Sequence, residues 1–535
     1  MKKITVGLFI FLLTLQGARG TDLAWLEQYV RQRLEPQTTN EALGTCGFSA
    51  QLELRRHWRE LPPELQSAAL NLLQEPKRQT STVSPSGHFV LHYDTTGYNA
   101  VPLADVSGNG VPDYVDSAAV YLDHAWQVEI DSLGFAPPPA ANGNPVTTYP
   151  IYFTNYYSLY GSTTPNEEIA ALPGNNYTSY IELNNDFYSR HFYTTGLAAL
   201  KVTAAHEFNH AIQLGYNFRI EGNSYPDIFF MEMTSTWLED YVYDEVNDYV
   251  QYLSAYLPTI DGRAFNAWDG NSEYANSLYL HMLAERYNPQ IVPEVWRQIN
   301  HEPALNALNT VLKKHGSTFA DSHNRYAVWV YFTGTRAVPG KYFPEAADYP
   351  LISIFYTKNK LNESLPQLSM RHVESYVQTG YTWRAKVSSN SSAGRLTHIT
   401  ALPQVPAPVA FNSWQLFYQN ADQPIVVVET NPLTKSIDQL SYTVELSPVT
   451  PGPNLVKTSS TRNKVVFYNV PSQAKIQIFT VNGQLVTRLQ NQSGEVQHLS
   501  WDLTDRLGQK VATGIYVYYI RMNQRDIVGK FAVVR

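Results

Sequence analysis

Up to about Tyr356 the apolar residues recur at helical spacing or in a mixture of helix-like and strand-like runs. Beyond about Leu365 the helical period stops, and short alternating segments between turns take over. One core cannot accommodate both regimes in a chain of 535 residues, which exceeds the size at which single cores stop growing. The pattern predicts a multidomain protein, an α+β domain followed by two β-sandwich domains. "LAWLEQYVRQRL" and "LPPELQSAALNLLQEP" predict helices near the start, and the polar "KRQTSTVSPSG" reads as a linker. "GHFVLHYDT", "PIYFTNYY" and "SYIELNND" predict strands, and from Leu197 onward helices dominate. The expected boundaries are a leader at 1–20, a helical propeptide and linker at 21–83, the mixed domain at 84–360, one β-sandwich at 366–450 and a second β-domain at 454–535.

The leader reading rests on "MKKITVGLFIFLLTLQGARG", two lysines, an apolar run from Ile4 to Leu15, and small residues at Ala18 and Gly20. That run is too short for a permanent anchor, so no membrane span is expected and the chain is expected to be secreted, extracellular or attached to a cell surface. A net charge of −8 without a Lys/Arg-rich run argues against nucleic acid as a partner. Cys46 is the single cysteine, so no intrachain disulfide can form.

The densest chemistry lies in "KVTAAHEFNHAIQLGY". On a helix His206 and His210 project from one face, and two imidazoles supply half of a tetrahedral zinc site. Glu207 follows next, placed to reach water beside the metal without ligating it, which is the H-E-x-x-H pattern. The positions where a metzincin carries its glycine and third histidine hold Gln213 and Tyr216, which excludes that class. In "FFMEMTSTWLEDYVYDE", Glu232, Thr236 and Glu239 form one polar line on an otherwise apolar helix. If buried, those side chains need a partner.

This pairing resembles the gluzincins, in which a glutamate on the helix after H-E-x-x-H completes the zinc site. Against the thermolysin-like N-E-x-x-S-D the chain has Met231, Glu232, Ser235 and Thr236; against the membrane-aminopeptidase pattern, Trp237 and Glu239 match. The resemblance implies His206, His210 and Glu232 as zinc ligands, with Glu239 the reserve choice and Thr236 and Glu239 as residues that orient the histidines. It also implies that Glu207 is the general base, acting on metal-activated water to hydrolyse peptide bonds. Tyr274, or alternatively Tyr279, is the candidate oxyanion donor. Further stretches, "CGFSAQL", "SGHFVLHYDTTGYNAVP" and "SGNGVPDYVDSAAVYLDHAW", resemble a family of secreted bacterial metallopeptidases.

Two other features carry readings of their own. "DVSGNGVPDYVD" sets Asp105, Ser107, Asn109, Val111, Asp113 and Asp116 at the ligand positions of an EF-hand-like loop, with Gly110 at the turn. Calcium is one expectation there, and an Asx/Gly turn capping the next helix is the other. Cys46 is either a buried apolar thiol or a propeptide thiolate that occupies the open zinc position. At the C-terminal end Trp501–Asp502, Gly508 and "GIY" resemble the type IX secretion sorting domain and the related immunoglobulin-like domain of the flagellar hook-capping protein. That resemblance implies contact with secretion machinery. The expectation as a whole is a secreted zinc metallopeptidase, endopeptidase rather than aminopeptidase, acting on protein or peptide. The alternative from another class is a surface adhesin or matrix-binding protein with a degenerate zincin-like domain.

Overall fold

In a computed structural model the chain is described at residues 23–34, 45–156, 158–172, 174–221, 225–356, 360–376, 381–399, 405–419, 425–434, 440–449, 452–453, 464–470, 473–493, 497–521 and 526–534. The expected leader, 1–20, lies outside the described residues. The chain is multidomain and α+β, as expected, and divides into two compact units. One is drawn from Met1–Pro258, Phe265–Phe319 and Thr333–Pro350, the other from Thr259–Ala264, Ala320–Phe332 and Leu351–Arg535. Among the described residues no helix is long and apolar enough to cross a membrane.

The first unit opens with three helices, α1 (Leu23–Leu34), α2 (Phe48–His57) and α3 (Pro63–Leu72). Then come β1 (Thr80–Val83), β2 (Phe89–Tyr93) and α4 (Asp113–Trp126), which runs into a π-helical turn at Gln127–Ser132. Strands β3 (Tyr149–Thr154), β4 (Gly161–Glu168) and β5 (Tyr177–Asn184) follow, and after them α5 (Gly196–Gln213), α6 (Ile228–Val242), α7 (Val250–Tyr256), α8 (Ser272–Ala275) and α9 (Ser277–Arg286). The five strands form one sheet in the order β1-β2-β3-β5-β4. The inner strands run parallel, with Leu91 opposite Ile151 and Ile151 opposite Ile181, while β1 and β4 lie antiparallel at the two edges.

Helix α5 lies between the β4–β5 side of this sheet and α4 and α6. It is buried nearly all round, with Ala204, Ala205, Phe208, Ala211 and Ile212 fully covered, the composition of a central helix rather than a surface one. Its polar residues His206, Glu207, Asn209, His210 and Gln213 are therefore buried too, and each must find a partner inside the protein. The edge strand approaches closely: a methyl group added at Gly161 would stand 2.8 Å from both Glu207 Cγ and Thr203 Cγ2.

Two expected boundaries need correction. The segment read as a linker before residue 84 contains β1, which pairs with β2 from Thr80↔Tyr93 to Val83↔Val90. The preceding helices are also joined to the rest of the unit, because Leu26, Val30, Leu54, Leu61 and Leu65 share an apolar cluster with Tyr156 and Leu159. That cluster ties these helices to the strands that follow within the first unit. The break expected between 450 and 454 is likewise partly strand. Leu440–Val449 runs into it, and Gly452–Pro453 pairs with Val465–Val470 at a sheet edge, where proline is tolerated.

In the second unit one five-stranded and one four-stranded sheet, built between Phe355 and Val449, contribute to a common core of Leu365, Ala385, Leu396, Val427 and Leu440. The later strands, from Gly452 to Val533, enclose a different cluster around Phe467, Ile478, Trp501 and Phe531.

Replacing Gly161 by Ala forces β4 away from α5 and is expected to lower stability by about 1–3 kcal/mol, the usual range for overpacking. Gly514→Ala, whose methyl meets nothing within 4 Å, should leave it nearly unchanged. Urea unfolding midpoints of the two variants give the comparison.

Candidate metal centre

Helices α5 and α6 bring the expected residues together. His206 Nε2 and His210 Nε2 lie 3.1 Å apart, and Glu232 Oε2 is 3.3 Å from each. All three side chains are buried, Glu232 and His210 completely. The Cys46 Sγ joins them, 3.5 Å from His210 Nε2, so that the four donor atoms lie within 4.8 Å of one another. This buried Cys, His, His, Glu cluster has the composition and spacing to hold a metal ion.

The orientation of His210 follows from hydrogen-bond accounting. The Gln213 amide nitrogen donates to Asn209 Oδ1 and to the Met231 carbonyl, so its oxygen faces His210 Nδ1 at 2.8 Å and accepts from it. His210 therefore turns Nε2 to the centre, and in the neutral ring that nitrogen carries the lone pair. His206 turns Nδ1 to Glu239 Oε1 at 2.6 Å and also presents Nε2 inward. The other oxygen of the third carboxylate, Glu232 Oε1, accepts from Ser49 Oγ at 3.0 Å. Glu232 Oε2, buried in the middle, receives no hydrogen bond of acceptable geometry.

Three acceptor atoms thus converge on one point, and two imidazoles 3.1 Å apart cannot both carry a proton there. A cation satisfies all three at once. Zinc–nitrogen bonds of about 2.0–2.1 Å place tetrahedral donor atoms about 3.3 Å apart, and a zinc–thiolate bond extends the sulfur edge to about 3.5 Å. The separations among the two Nε2 atoms and Glu232 Oε2, 3.1–3.3 Å, and the 3.5 Å from Cys46 Sγ to His210 Nε2 are of that size, while the whole group of four donor atoms spans up to 4.8 Å. The electrostatics agree: burial opposes ionisation of Glu232, yet the neighbouring imidazoles hold its carboxyl well below the ordinary range. Burial likewise opposes charge on His206, but Glu232 and Glu239 outweigh it and raise its affinity for a proton. Surroundings that attract a proton this strongly attract a metal cation as well.

Glu207 is placed beside the cluster rather than in it. Its Oε2 accepts from Thr163 Oγ1 on β4 at 2.7 Å, and its own backbone carbonyl accepts from the same hydroxyl at 2.8 Å. Burial raises its pKa above the ordinary carboxylate value, the direction a general base requires. The Cys46 thiol is pushed up by burial and by the nearby Glu207 and Glu232 carboxylates. Tyr274 stands over the site with its ring 6.3 Å from that of His206, stacked in turn on Tyr252. Tyr279 is fully buried and packs edge-on against Phe265.

Some participants differ from those expected. Ser235, not Thr236, approaches His210, with Oγ 3.3 Å from Nδ1, and Thr236 Oγ1 has no hydrogen-bond partner among the described residues. On a helix Ser235 stands about 60° to one side of Glu232 and Thr236 about 40° to the other; α5 lies on the Ser235 side. Behind His210 the chain of bonds continues from Gln213 through Asn209 to Glu129 on the π-helical turn, where Asn209 Nδ2 donates to Oε2 at 3.2 Å. None of Gln213, Asn209, Glu129 and Thr163 was anticipated as a partner, although Gln213 and Asn209 lie one turn or less from His210.

The loop at Asp105 does not gather three carboxylates. Asp105 accepts from the amides of Gly108, Asn109 and Gly110, Asp113 accepts from that of Val106, and Asn109 Nδ2 donates to Asp116. Ser107 donates to Asp105, and the Val111 amide donates to Asn109 Oδ1. These bonds account for the loop's shape as an Asx/Gly turn leading into α4.

A family model described as "Family of unknown function (DUF6055)" matches residues 60–330, just over half of the 535 residues. The chain belongs to this family. The DUF6055 match takes in His206, Glu207, His210, Glu232 and Glu239 and begins beyond Cys46. No curated protein matches the chain. Among solved structures it is similar to PorZ, a surface component of the type IX secretion system of Porphyromonas gingivalis, at 15% identity over 22% of this chain and 15% of that one, with a TM-score of 0.15. It is similar to Legionella pneumophila aminopeptidase A in complex with aspartic acid at 10% identity, over 66% of this chain and 36% of that one, with a TM-score of 0.28. The adhesin domain of Epf from Streptococcus pyogenes is 10% identical over 34% of this chain and 79% of that domain, with a TM-score of 0.14. The chain thus spans a minor part of the length of the first and second of these, and likenesses of this depth say nothing of activity.

Removing one imidazole or carboxylate, as in His206→Ala or Glu232→Gln, is expected to abolish stoichiometric zinc in the purified DUF6055 protein. Gln213→Ala should weaken zinc by about 10- to 100-fold in a chelator competition, because it frees the His210 ring. Glu207→Gln should bind zinc as the wild type does.

Proposed function

We propose that this protein is a zinc-dependent peptidase of gluzincin type, with the first unit a zincin-like domain and the second two β-sandwiches. One observation supports this most: two imidazole nitrogens and an undonated Glu232 oxygen converge at 3.1–3.3 Å, with the buried carboxylate of Glu207 beside them. His206, His210 and Glu232 would hold the ion, which when bound supplies Lewis acidity toward a carbonyl and lowers the pKa of water. Glu207, steadied by Thr163, accepts a proton from the attacking water and returns it to the leaving amine. Glu239 and Gln213 keep the two imidazoles turned inward. Tyr274, stacked over His206, is the donor proposed for the developing oxyanion. The edge strand β4 offers backbone groups along which an extended peptide can lie, so a polypeptide substrate and an endopeptidase action fit best.

The C-terminal strands, by the Trp501–Asp502, Gly508 and "GIY" pattern, are proposed to address the chain to secretion machinery. The same residues have packing roles: Trp501 is buried with Nε1 donating to the Thr504 carbonyl, and Gly508 turns at φ 77°.

Casein offered to the chain trimmed before Lys77 is expected to be cut, and Glu207→Gln in the same form should lose about 100-fold or more of that rate. Cleavage by both forms alike would refute the role of Glu207. Cleavage by neither, with no zinc in the protein, would favour the adhesin reading.

A further inference from the structure

The residues just before α2 contact the centre at nearly every position. Thr45 and Gly47 pair with the beginning of β4: the Gly47 amide donates to the Gly161 carbonyl at 2.9 Å, and the Tyr160 amide donates to the Thr45 carbonyl at 2.9 Å. The bridge between Cys46 and Gly161 is parallel. Gly47 is required there, since a methyl group on it would stand 2.7 Å from Ser162 Oγ. Tyr252 donates its hydroxyl to Thr45 Oγ1 at 2.7 Å. Phe48 stacks on the His210 ring at 4.1 Å and 13°, and Ser49 donates to Glu232. Between these anchors the Cys46 sulfur joins the cluster and, with Glu207, lines a cleft shared with Tyr160, Thr203, Asp248 and Tyr252.

We propose that Thr45–Ser49 is a built-in latency segment, in which Cys46 ligates the metal as a thiolate and the backbone occupies the edge of β4 that a substrate peptide would use. The inference rests on the zinc reading above. Two independent observations converge on it. The undonated Glu232 oxygen and the facing imidazoles mark where an ion would sit, and the Cys46 sulfur lies 3.5 Å from His210 Nε2, in one group of four donor atoms all within 4.8 Å of one another. Four protein donors make a closed site, whereas a catalytic zinc keeps one position open. On ligation the thiol releases its proton to solvent, and no other bond is made or broken. Displacement or proteolytic removal of the segment reopens both the metal position and the strand edge.

Cobalt(II) in place of zinc reports the sulfur directly, and because Cys46 is the single cysteine the signal has one source. The full chain loaded with cobalt is expected to show a thiolate-to-cobalt charge-transfer band in the near ultraviolet. Cys46→Ser should bind one cobalt per chain without that band. The zinc form of Cys46→Ser, uncut, should cleave a peptide substrate roughly tenfold or more faster than the uncut wild type, the reciprocal of the fraction of time the position stands open. Visible cobalt absorption in the wild type without the charge-transfer band would overturn the thiolate ligand and leave the zinc reading standing. The band together with no gain of activity in Cys46→Ser, while chain trimmed before Lys77 is active, would overturn latency. No bound cobalt in either protein would overturn the zinc reading and this inference with it.

Discussion

Everything in the first unit turns on three buried polar atoms that point at one another. His206 Nε2, His210 Nε2 and Glu232 Oε2 are all within 3.3 Å of each other, and nothing donates to the carboxylate oxygen. An uncompensated buried carboxylate costs on the order of several kcal/mol. A fold that holds this arrangement against such a penalty is suited to hold a cation there.

The surroundings serve that centre in layers. Two helices buried on nearly all sides, α5 and α6, carry His206, His210 and Glu232, so their side chains have little freedom to turn away. Glu239 and Gln213 hold the outer ring nitrogens, and the line from Gln213 through Asn209 to Glu129 passes that restraint into the π-helical turn after α4. On the open side the edge strand comes within contact of α5 because Gly161 lacks a side chain, and this brings Thr163 to Glu207. The same edge is where Thr45 and Gly47 pair. A single strand therefore holds the Glu207 carboxylate, offers a surface for an extended chain, and pairs with a segment of its own protein.

That His206, His210 and Glu232 come together was legible because helix periodicity is a local property. Two histidines four apart share a face in any helix, and Glu232 and Glu239 lie on one stripe of the next. What lay beyond local reach was not legible. β4 reads as polar and contains Pro165, so "GSTTPNEE" gave no strand signal, although its first five residues are buried and it forms the edge beside the site. Thr163 and Glu129 come to the centre only through sheet order and helix packing, 44 and 80 residues away in sequence from the side chains they meet. The choice of Ser235 over Thr236 depends on which side α5 crosses, a tertiary fact that leaves no mark on the spacing. The linker before residue 84 failed for a similar reason: four polar residues become a strand once β2 offers them an edge. Cys46 stood as two alternatives, and only the fold brought its sulfur to His210 across 164 residues.

The central claim is that one zinc ion sits between α5 and α6. Crystals of the full chain, measured on both sides of the zinc absorption edge, test it most directly. The account expects a single anomalous peak within bonding distance of His206 Nε2, His210 Nε2 and Glu232 Oε2. A peak held by other residues, or none in crystals grown with zinc, would contradict it.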